Sequence, residues 1–89
     1  MKLGRIEGTV VCTIKDERLL GLKLLIVHEC DVHLKAINAY HVAADTVQAG
    51  PGDLVMFASG SSARQTELTQ KKAIDCAIVA IVDSVNLIQ

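Results

Sequence analysis

The stretch Gly-Pro-Gly-Asp-Leu-Val-Met-Phe-Ala-Ser-Gly-Ser-Ser-Ala-Arg-Gln, residues 50–65, decides how this chain is organised. Its first four residues predict a turn, and Leu54–Ala58 is a short apolar run typical of a strand. Small residues follow at Ser59–Ala63 and lead into a predicted helix. Backbone N–H groups are accessible where such a loop joins a strand to a helix, so we expect the function to depend on this loop.

A short helix is predicted after the loop, from about Ala63 to Gln70. Ser62 and Gln65 match a capping box, in which the hydroxyl and the side-chain amide satisfy free backbone donors. Lys71 and Lys72 fall at the C-terminal end, where positive charge is favourable. These signals indicate a single short helix of roughly two turns.

Alternating and continuous apolar runs predict five strands along the chain. The predicted strands are Leu3–Ile14, Leu22–Glu29, Asn38–Val47, Leu54–Ala58 and Asp75–Val82. The last strand is apolar on both faces, so one face should line the core and the other should contact a helix or another subunit. Five short strands and one late helix predict a mainly β fold, a small OB-like β-barrel.

The composition indicates one small domain, residues 1–89, with more apolar content than its own core can hide. Apolar residues make up 51% of the 89 residues, whereas aromatic residues make up only 2%. The core should therefore consist of Val, Ile, Leu and Ala. Because small domains have a large surface for their volume, the excess favours burial between subunits.

Charge and hydropathy exclude several classes of protein. The net charge is −1 and the nine basic residues are scattered, whereas nucleic-acid binders carry a basic stripe or an aromatic stacking platform. Every apolar run is interrupted before it reaches membrane-spanning length. The N-terminus lacks the apolar region of a signal peptide. We therefore expect a cytoplasmic protein with neither a nucleic-acid nor a membrane partner.

The candidate ligands and nucleophiles do not form a recognised motif. Cys12, Cys30 and Cys76 are far apart and are predicted to be buried, reduced thiols. The segment His28–His33 holds three possible zinc ligands, but a strand would point them to opposite faces, and no second ligand pair exists. We predict no metal site and no cofactor.

The serine loop lacks the features of a catalytic loop. It has no second glycine for a Gly-x-Ser-x-Gly elbow, and Arg64 stands where a phosphate-binding loop would need lysine. No catalytic residue is predicted. Backbone N–H groups at Ser61 and Ser62 could still bind a small anion, and a capped helix with nothing bound is the alternative.

Five segments of the sequence together resemble the EutN/CcmL family, the vertex proteins of bacterial microcompartment shells. They are Gly4–Thr13, Gly21–Leu25, Asp45–Asp53, Gly60–Gln65 and Asp75–Asp83. The resemblance covers nearly the whole chain, and Gly-Ser-Ser-Ala-Arg-Gln at 60–65 is its most specific piece. Two positions depart from the family pattern, which commonly has glycine at Gln48 and proline at Ala73.

The resemblance implies a structural protein without catalytic activity. Its subunit is a β-barrel, and five subunits form a homopentamer shaped like a truncated pyramid. The pentamer closes the five-fold corners of a cytoplasmic shell whose tiles are hexameric or trimeric proteins. The loop would line a narrow axial pore with residues Gly60, Ser61, Ser62, Ala63 and Arg64. Candidate residues of the subunit interface are Asp45, Gln48, Gln65, Val79 and Ile81.

Two further expectations follow from the residues. A ring of helix starts, each with roughly half a positive charge, would favour anions over cations at such a pore. The alternative function is a small OB-like barrel that binds an anionic metabolite or nucleic acid, which the fold class permits. Charge balance and the scarcity of aromatic residues disfavour nucleic acid.

Overall fold

Five strands form the fold in the computed structural model, which describes residues 1–13, 17, 21–60 and 75–88. They are β1 Lys2–Val10, β2 Leu24–Cys30, β3 Ala36–Asp45, β4 Leu54–Ser59 and β5 Cys76–Ile81. Each coincides with one of the predicted strands, with ends that differ by up to four residues. The helix predicted over 63–70 lies outside the described residues.

The strands close into a barrel in the order β1-β2-β3-β5-β4. Neighbouring strands are antiparallel except β3 and β5, which are parallel and share the register pairs Ala44–Ala77 and Asp45–Ile78. Closure removes the free sheet edges that would otherwise expose unpaired backbone groups. The prediction of a mainly β, five-stranded barrel is confirmed. Among the described residues, no helix has the length and apolar character needed to cross a membrane.

The barrel interior is filled by side chains from the inward-facing positions of the strands. The largest fully buried ones are Phe57, Leu25, Ile78, Val27 and Val55. Branched aliphatic residues dominate, as the composition predicts. Phe57 is an exception to this aliphatic composition. It is one of the chain's two aromatic residues and the largest side chain of the core.

Register shifts between neighbouring strands change which residues face inward, and one of these shifts lies between His28 and Cys30. The pairing of β1 with β2 shifts between Ile6 and Gly8, and that of β4 with β5 shifts so that Val79 has no partner. A bulge reverses the inward–outward alternation beyond it. Beyond Ile6 the pairing places Gly8 and Val10 opposite Ile26 and Leu24, although Glu7 and Thr9 remain the more exposed positions of β1. The strand ends at Val10, and Cys12 is exposed rather than buried.

A tight hairpin joins β2 to β3, where the sequence indicated only a turn at Asp31. The Asp31 Oδ1 atom accepts backbone N–H groups from His33 at 2.8 Å and from Lys35 at 3.1 Å. These hydrogen bonds lower the pKa of the Asp31 carboxyl group, and the bond from Lys35 has the larger effect. Leu34 has a φ of 64°, a left-handed conformation that is strained for a leucine side chain.

Gly4 marks the closest approach of strands inside the barrel. A Cβ atom there would lie 2.5 Å from Val27 Cγ1, 2.8 Å from the His28 carbonyl oxygen and 3.1 Å from Phe57 Cε1. The carbonyl belongs to the backbone of β2, so the contact cannot be relieved by a side-chain rotation alone. Glycine at this position lets β1 lie close against β2 and over Phe57.

We predict that Gly4→Ala lowers the free energy of unfolding by about 1–3 kcal/mol, because the methyl group overpacks the core. Gly8→Ala is the matched control on the same strand, since its Cβ would meet only Ile26 Cδ1, at 3.5 Å. Urea denaturation of both variants measures the difference. Equal stability of the two variants would contradict a steric role for Gly4.

Candidate subunit interface and axial loop

Gly60 begins the predicted axial loop and is the part of it that the structure describes. It is exposed, has a φ of 67°, and donates its N–H to the Asp75 carbonyl at 2.7 Å. This bond extends the β4–β5 ladder by one step, so the chain leaves and re-enters the barrel at neighbouring points. Ser61, Ser62, Ala63, Arg64 and Gln65 lie outside the described residues.

Asp45, a predicted interface residue, organises a turn within its own subunit. Its Oδ1 atom accepts the N–H groups of Val47 at 3.1 Å and of Ala49 at 3.2 Å. Its own N–H bonds the Lys23 carbonyl at 2.8 Å. The carboxylate therefore ends β3 and folds the chain back toward the barrel.

Gln48 lies in that turn with a φ of 61° and an exposed side chain. Left-handed backbone is unfavourable for any residue with a Cβ atom, and glycine is the residue that adopts it freely. This conformation gives a physical reason for the glycine expected at this position in similar sequences. The glutamine keeps the turn and places a polar side chain on the surface.

Val79 and Ile81, the predicted interface residues of β5, do not share one face. Val79 is the bulge residue and is half-buried, whereas Ile81 pairs with the core residue Val55 and remains 43% exposed. Ile81 therefore lies on the core side of the sheet, at an exposed end. The bulge between Ile78 and Ala80 separates the two residues that simple alternation placed together.

The outer face of β1, β2 and β3 carries a charged and aromatic row beside two apolar rows, the last of which ends at the buried Ala44. The rows are Arg5–His28–Tyr40, Gly8–Ile26–Val42 and Val10–Leu24–Ala44. Tyr40 is 59% exposed and Val42 is 52% exposed. Exposed apolar groups that adjoin one another on a sheet indicate a contact surface for another protein.

His28 connects the strands of this outer face. Its Nδ1 atom pairs with the Glu7 carboxylate, and its Nε2 atom lies 2.8 Å from the Ile37 carbonyl oxygen. Its ring stacks on Tyr40 with centroids 4.2 Å apart. Both ring nitrogens therefore lie within hydrogen-bonding distance of an oxygen atom.

A second charged group is formed by Glu29, His41 and Lys2, and the centroid of the His41 ring lies 4.8 Å from that of the Phe57 ring. Glu29 Oε1 accepts from His41 Nε2 at 2.8 Å and is 3.6 Å from Lys2 Nζ. The hydrogen bond from His41 is the main reason that the pKa of Glu29 lies below its usual value. Sequence reasoning missed both histidine contacts, because their partners come from other strands.

A shallow groove of about 300 Å³ lies beside the β2–β3 hairpin and is lined by Arg5, Glu7, His28 and Leu34, among others. The Arg5 guanidinium donates to the Gly52 carbonyl at 3.2 Å. The Glu7 carboxylate is on the same wall and would repel an anion. The groove therefore lacks the concentrated positive charge that an anionic metabolite would need.

The cysteines and histidines do not gather at one place. Cys30 and Cys76 are buried, and burial raises the pKa of both thiols. Within residues 1–13, 17, 21–60 and 75–88, no group of three or more His, Cys, Asp or Glu side chains could hold a metal ion. His28 and His41 are each committed to a carboxylate of the same subunit.

The sequence matches a known family over most of its length. Residues 1–83 fit the family model described as ethanolamine utilisation protein EutN/carboxysome. The chain belongs to the EutN/CcmL family. Among its relatives, the carboxysome shell vertex protein CcmL of Synechococcus elongatus is 40% identical over 87 residues, which cover 98% of this chain and 88% of CcmL.

A second relative is similar over the whole of both chains. The microcompartment shell vertex protein GrpN of Rhodospirillum rubrum is 44% identical over 88 residues, 99% of each sequence. Its solved structure, described as a pentameric shell protein, superposes with a TM-score of 0.91 and covers 99% of this chain. The structure of Gloeobacter violaceus CcmL gives 0.93 at 37% identity, over 98% of this chain and 90% of that one. The resemblance seen in the sequence is confirmed.

We predict that Gln48→Gly leaves the free energy of unfolding unchanged or raises it by up to about 1 kcal/mol. The change relieves the left-handed strain, and the greater freedom of the unfolded chain offsets part of the gain. Gln48→Val is the contrasting variant, because a β-branched residue tolerates this conformation poorly. In thermal and urea unfolding, the Gln48→Gly variant should be at least as stable as the wild type, and the Gln48→Val variant should be the least stable. The reverse order would contradict the strain argument.

Proposed function

We propose that this chain is a structural vertex protein of a bacterial microcompartment shell and acts as a homopentamer. The observation that carries the proposal is the match to GrpN, a pentameric shell protein, across nearly the full length of both chains. The exposed apolar rows on β2 and β3 support burial against a further subunit. The relatives described above are named as shell vertex proteins, and the location proposed for this chain is a shell in the cytoplasm.

The axial loop is proposed to be Gly60–Arg64. Gly60 has a left-handed backbone that favours glycine, and its exposure leaves it accessible to other copies. Small residues let several backbones approach one symmetry axis. A ring of these loops would form a narrow pore, and N–H groups and hydroxyls that point into it would favour small anions.

The remaining interface candidates have separate roles in this proposal. Asp45 acts indirectly, since its carboxylate shapes the turn that presents Gln48 on the surface. Val79, Ile81 and Gln65 are proposed to contact the neighbouring subunit. The proposed partners beyond the pentamer are hexameric or trimeric shell tile proteins.

The alternative function, a barrel that binds an anionic metabolite or nucleic acid, has no support from the described surface. Arg5 in the outer groove is opposed by Glu7, and the net charge of the chain is slightly negative. The only other aromatic residue besides buried Phe57 is Tyr40, which already stacks on His28. Within the described residues, this barrel carries neither an anion site nor a stacking platform.

We expect the purified protein to have the mass of five subunits by native mass spectrometry and light scattering. Co-expression with a hexameric tile protein of the same microcompartment should give closed polyhedral shells by electron microscopy. Omission of this chain should leave sheets, tubes or shells with open corners, because hexagonal tiles alone cannot close a polyhedron. A monomer at all concentrations, or equally closed shells without the protein, would contradict the proposal.

We expect Ser61→Trp to weaken the pentamer, since five indole rings cannot fit around a narrow axis. The wild-type chain has no tryptophan, so the introduced indole also reports its own environment by fluorescence quenching. Lys35→Trp, at an exposed hairpin position, is the control and should keep the wild-type mass. An intact pentamer of the Ser61→Trp variant, with an indole as accessible to acrylamide as that of the control, would place the loop away from the axis.

A further inference from the structure

A five-fold ring requires two different contact surfaces on each subunit. A two-fold contact pairs one patch with itself, whereas a cyclic pentamer joins a patch on one subunit to a different patch on the next. If the chain forms the pentamer of the proposed function, on which this step rests, two different surfaces of the barrel must meet across each subunit boundary.

The first surface is the apolar part of the outer sheet face, which we call the sheet patch: Ile26, Tyr40 and Val42. Ile26 and Val42 are paired across β2 and β3, and Tyr40 is two residues before Val42 on the same face. More than half of the Tyr40 and Val42 side chains is exposed in the single subunit. The patch is held rigid by the ladder and by the stacking of Tyr40 on His28.

The second surface is the terminal segment, residues 82–88. The chain leaves β5 with a hydrogen bond from the Val82 N–H to the Leu54 carbonyl at 2.8 Å. Residues 82–88 then have no regular secondary structure. Leu87 is 47% exposed and Ile88 is fully exposed. Two large apolar side chains in solvent at the end of a barrel subunit are unfavourable unless another surface covers them.

The topology separates the sheet patch from the point where the terminal segment leaves the barrel. The order around the barrel is β1-β2-β3-β5-β4, so the strand that neighbours neither β2 nor β3 is β4. The sheet patch lies on β2 and β3, and the terminal segment starts beside Leu54, the first residue of β4. The patch and the origin of the segment therefore lie on different strands, as two different contact surfaces require.

We propose that the terminal segment of each subunit packs on the sheet patch of its neighbour in the ring. Leu87 and Ile88 of one copy cover Ile26, Tyr40 and Val42 of the next. This contact adds the terminal segment to the barrel-to-barrel interface. The contact would hold five subunits together without changing the barrel.

Disulfide trapping tests the pairing in the full chain. Val42→Cys combined with Leu87→Cys should oxidise to a ladder that ends at five covalently linked subunits on a non-reducing gel. All variants carry Cys12→Ser, since Cys12 is exposed, whereas Cys30 and Cys76 are buried. The single variants, and the pair Lys35→Cys with Leu87→Cys, are the controls and should give no ladder.

Each outcome decides the proposal. An intact pentamer by native mass spectrometry without a ladder from the Val42–Leu87 pair overturns the contact and leaves the proposed function standing. A disulfide confined to single chains also overturns it, because the segment would then cover its own subunit. A monomeric wild-type protein overturns both the contact and the pentamer.

A second variant measures how much the contact contributes. Leu87→Ser with Ile88→Ser should raise the subunit concentration needed for the pentamer at least tenfold, while circular dichroism of the barrel stays unchanged. Both side chains are exposed in the single subunit, so their loss leaves the core intact. Ser84→Ala with Asn86→Ser is the polar control and should assemble like wild type. Equal assembly of both double variants would contradict the proposal.

Discussion

The close approach at Gly4 is the constraint on which the rest of the barrel depends. β1 lies against Val27 and Phe57 with no room for a side chain, and this tight packing allows a sheet of only five strands to close. A small barrel has an interior just wide enough for its own side chains. The cluster around Phe57 is therefore full, and apolar residues outside it are exposed or packed elsewhere, some of them in a second cluster formed by Leu22, Leu24 and Ala44.

The limited room inside the barrel explains why apolar side chains also lie on its outer face, as at a subunit interface. Val27 and Leu25 point inward and are fully buried, whereas Ile26 and Val42, on the opposite face of the same strands, cannot be. β2 is apolar at four consecutive positions, Leu24–Val27, and therefore on both of its faces. A strand that is apolar on both faces needs a cover on both faces, and one barrel supplies only the inner one.

The sequence predicted the number, order and approximate bounds of the strands, because each depends on local patterns of two or three residues. It could not predict the bulges at Glu7 and Val79, since these depend on how neighbouring strands match in register. The shifted register of β4 and β5 places Ile81 opposite Val55, which the alternation along β5 could not show. The turn after Asp45 depends on contacts of the folded chain, namely the two N–H groups that the Asp45 carboxylate accepts and the left-handed backbone of Gln48.

The pairing of His28 with Glu7 shows how a charged group can lie within an apolar contact face. An ion pair that loses solvent costs free energy unless its remaining donors and acceptors are satisfied. Here one ring nitrogen meets the Glu7 carboxylate, the other meets the Ile37 carbonyl, and the ring face lies on Tyr40. A neighbouring subunit can therefore cover this histidine without leaving a ring nitrogen unpaired, and the same contacts fix the orientation of Tyr40. The charged row and the apolar row beside it thus act together: the first holds the aromatic side chain in position, and the second supplies the surface that a further copy can bury.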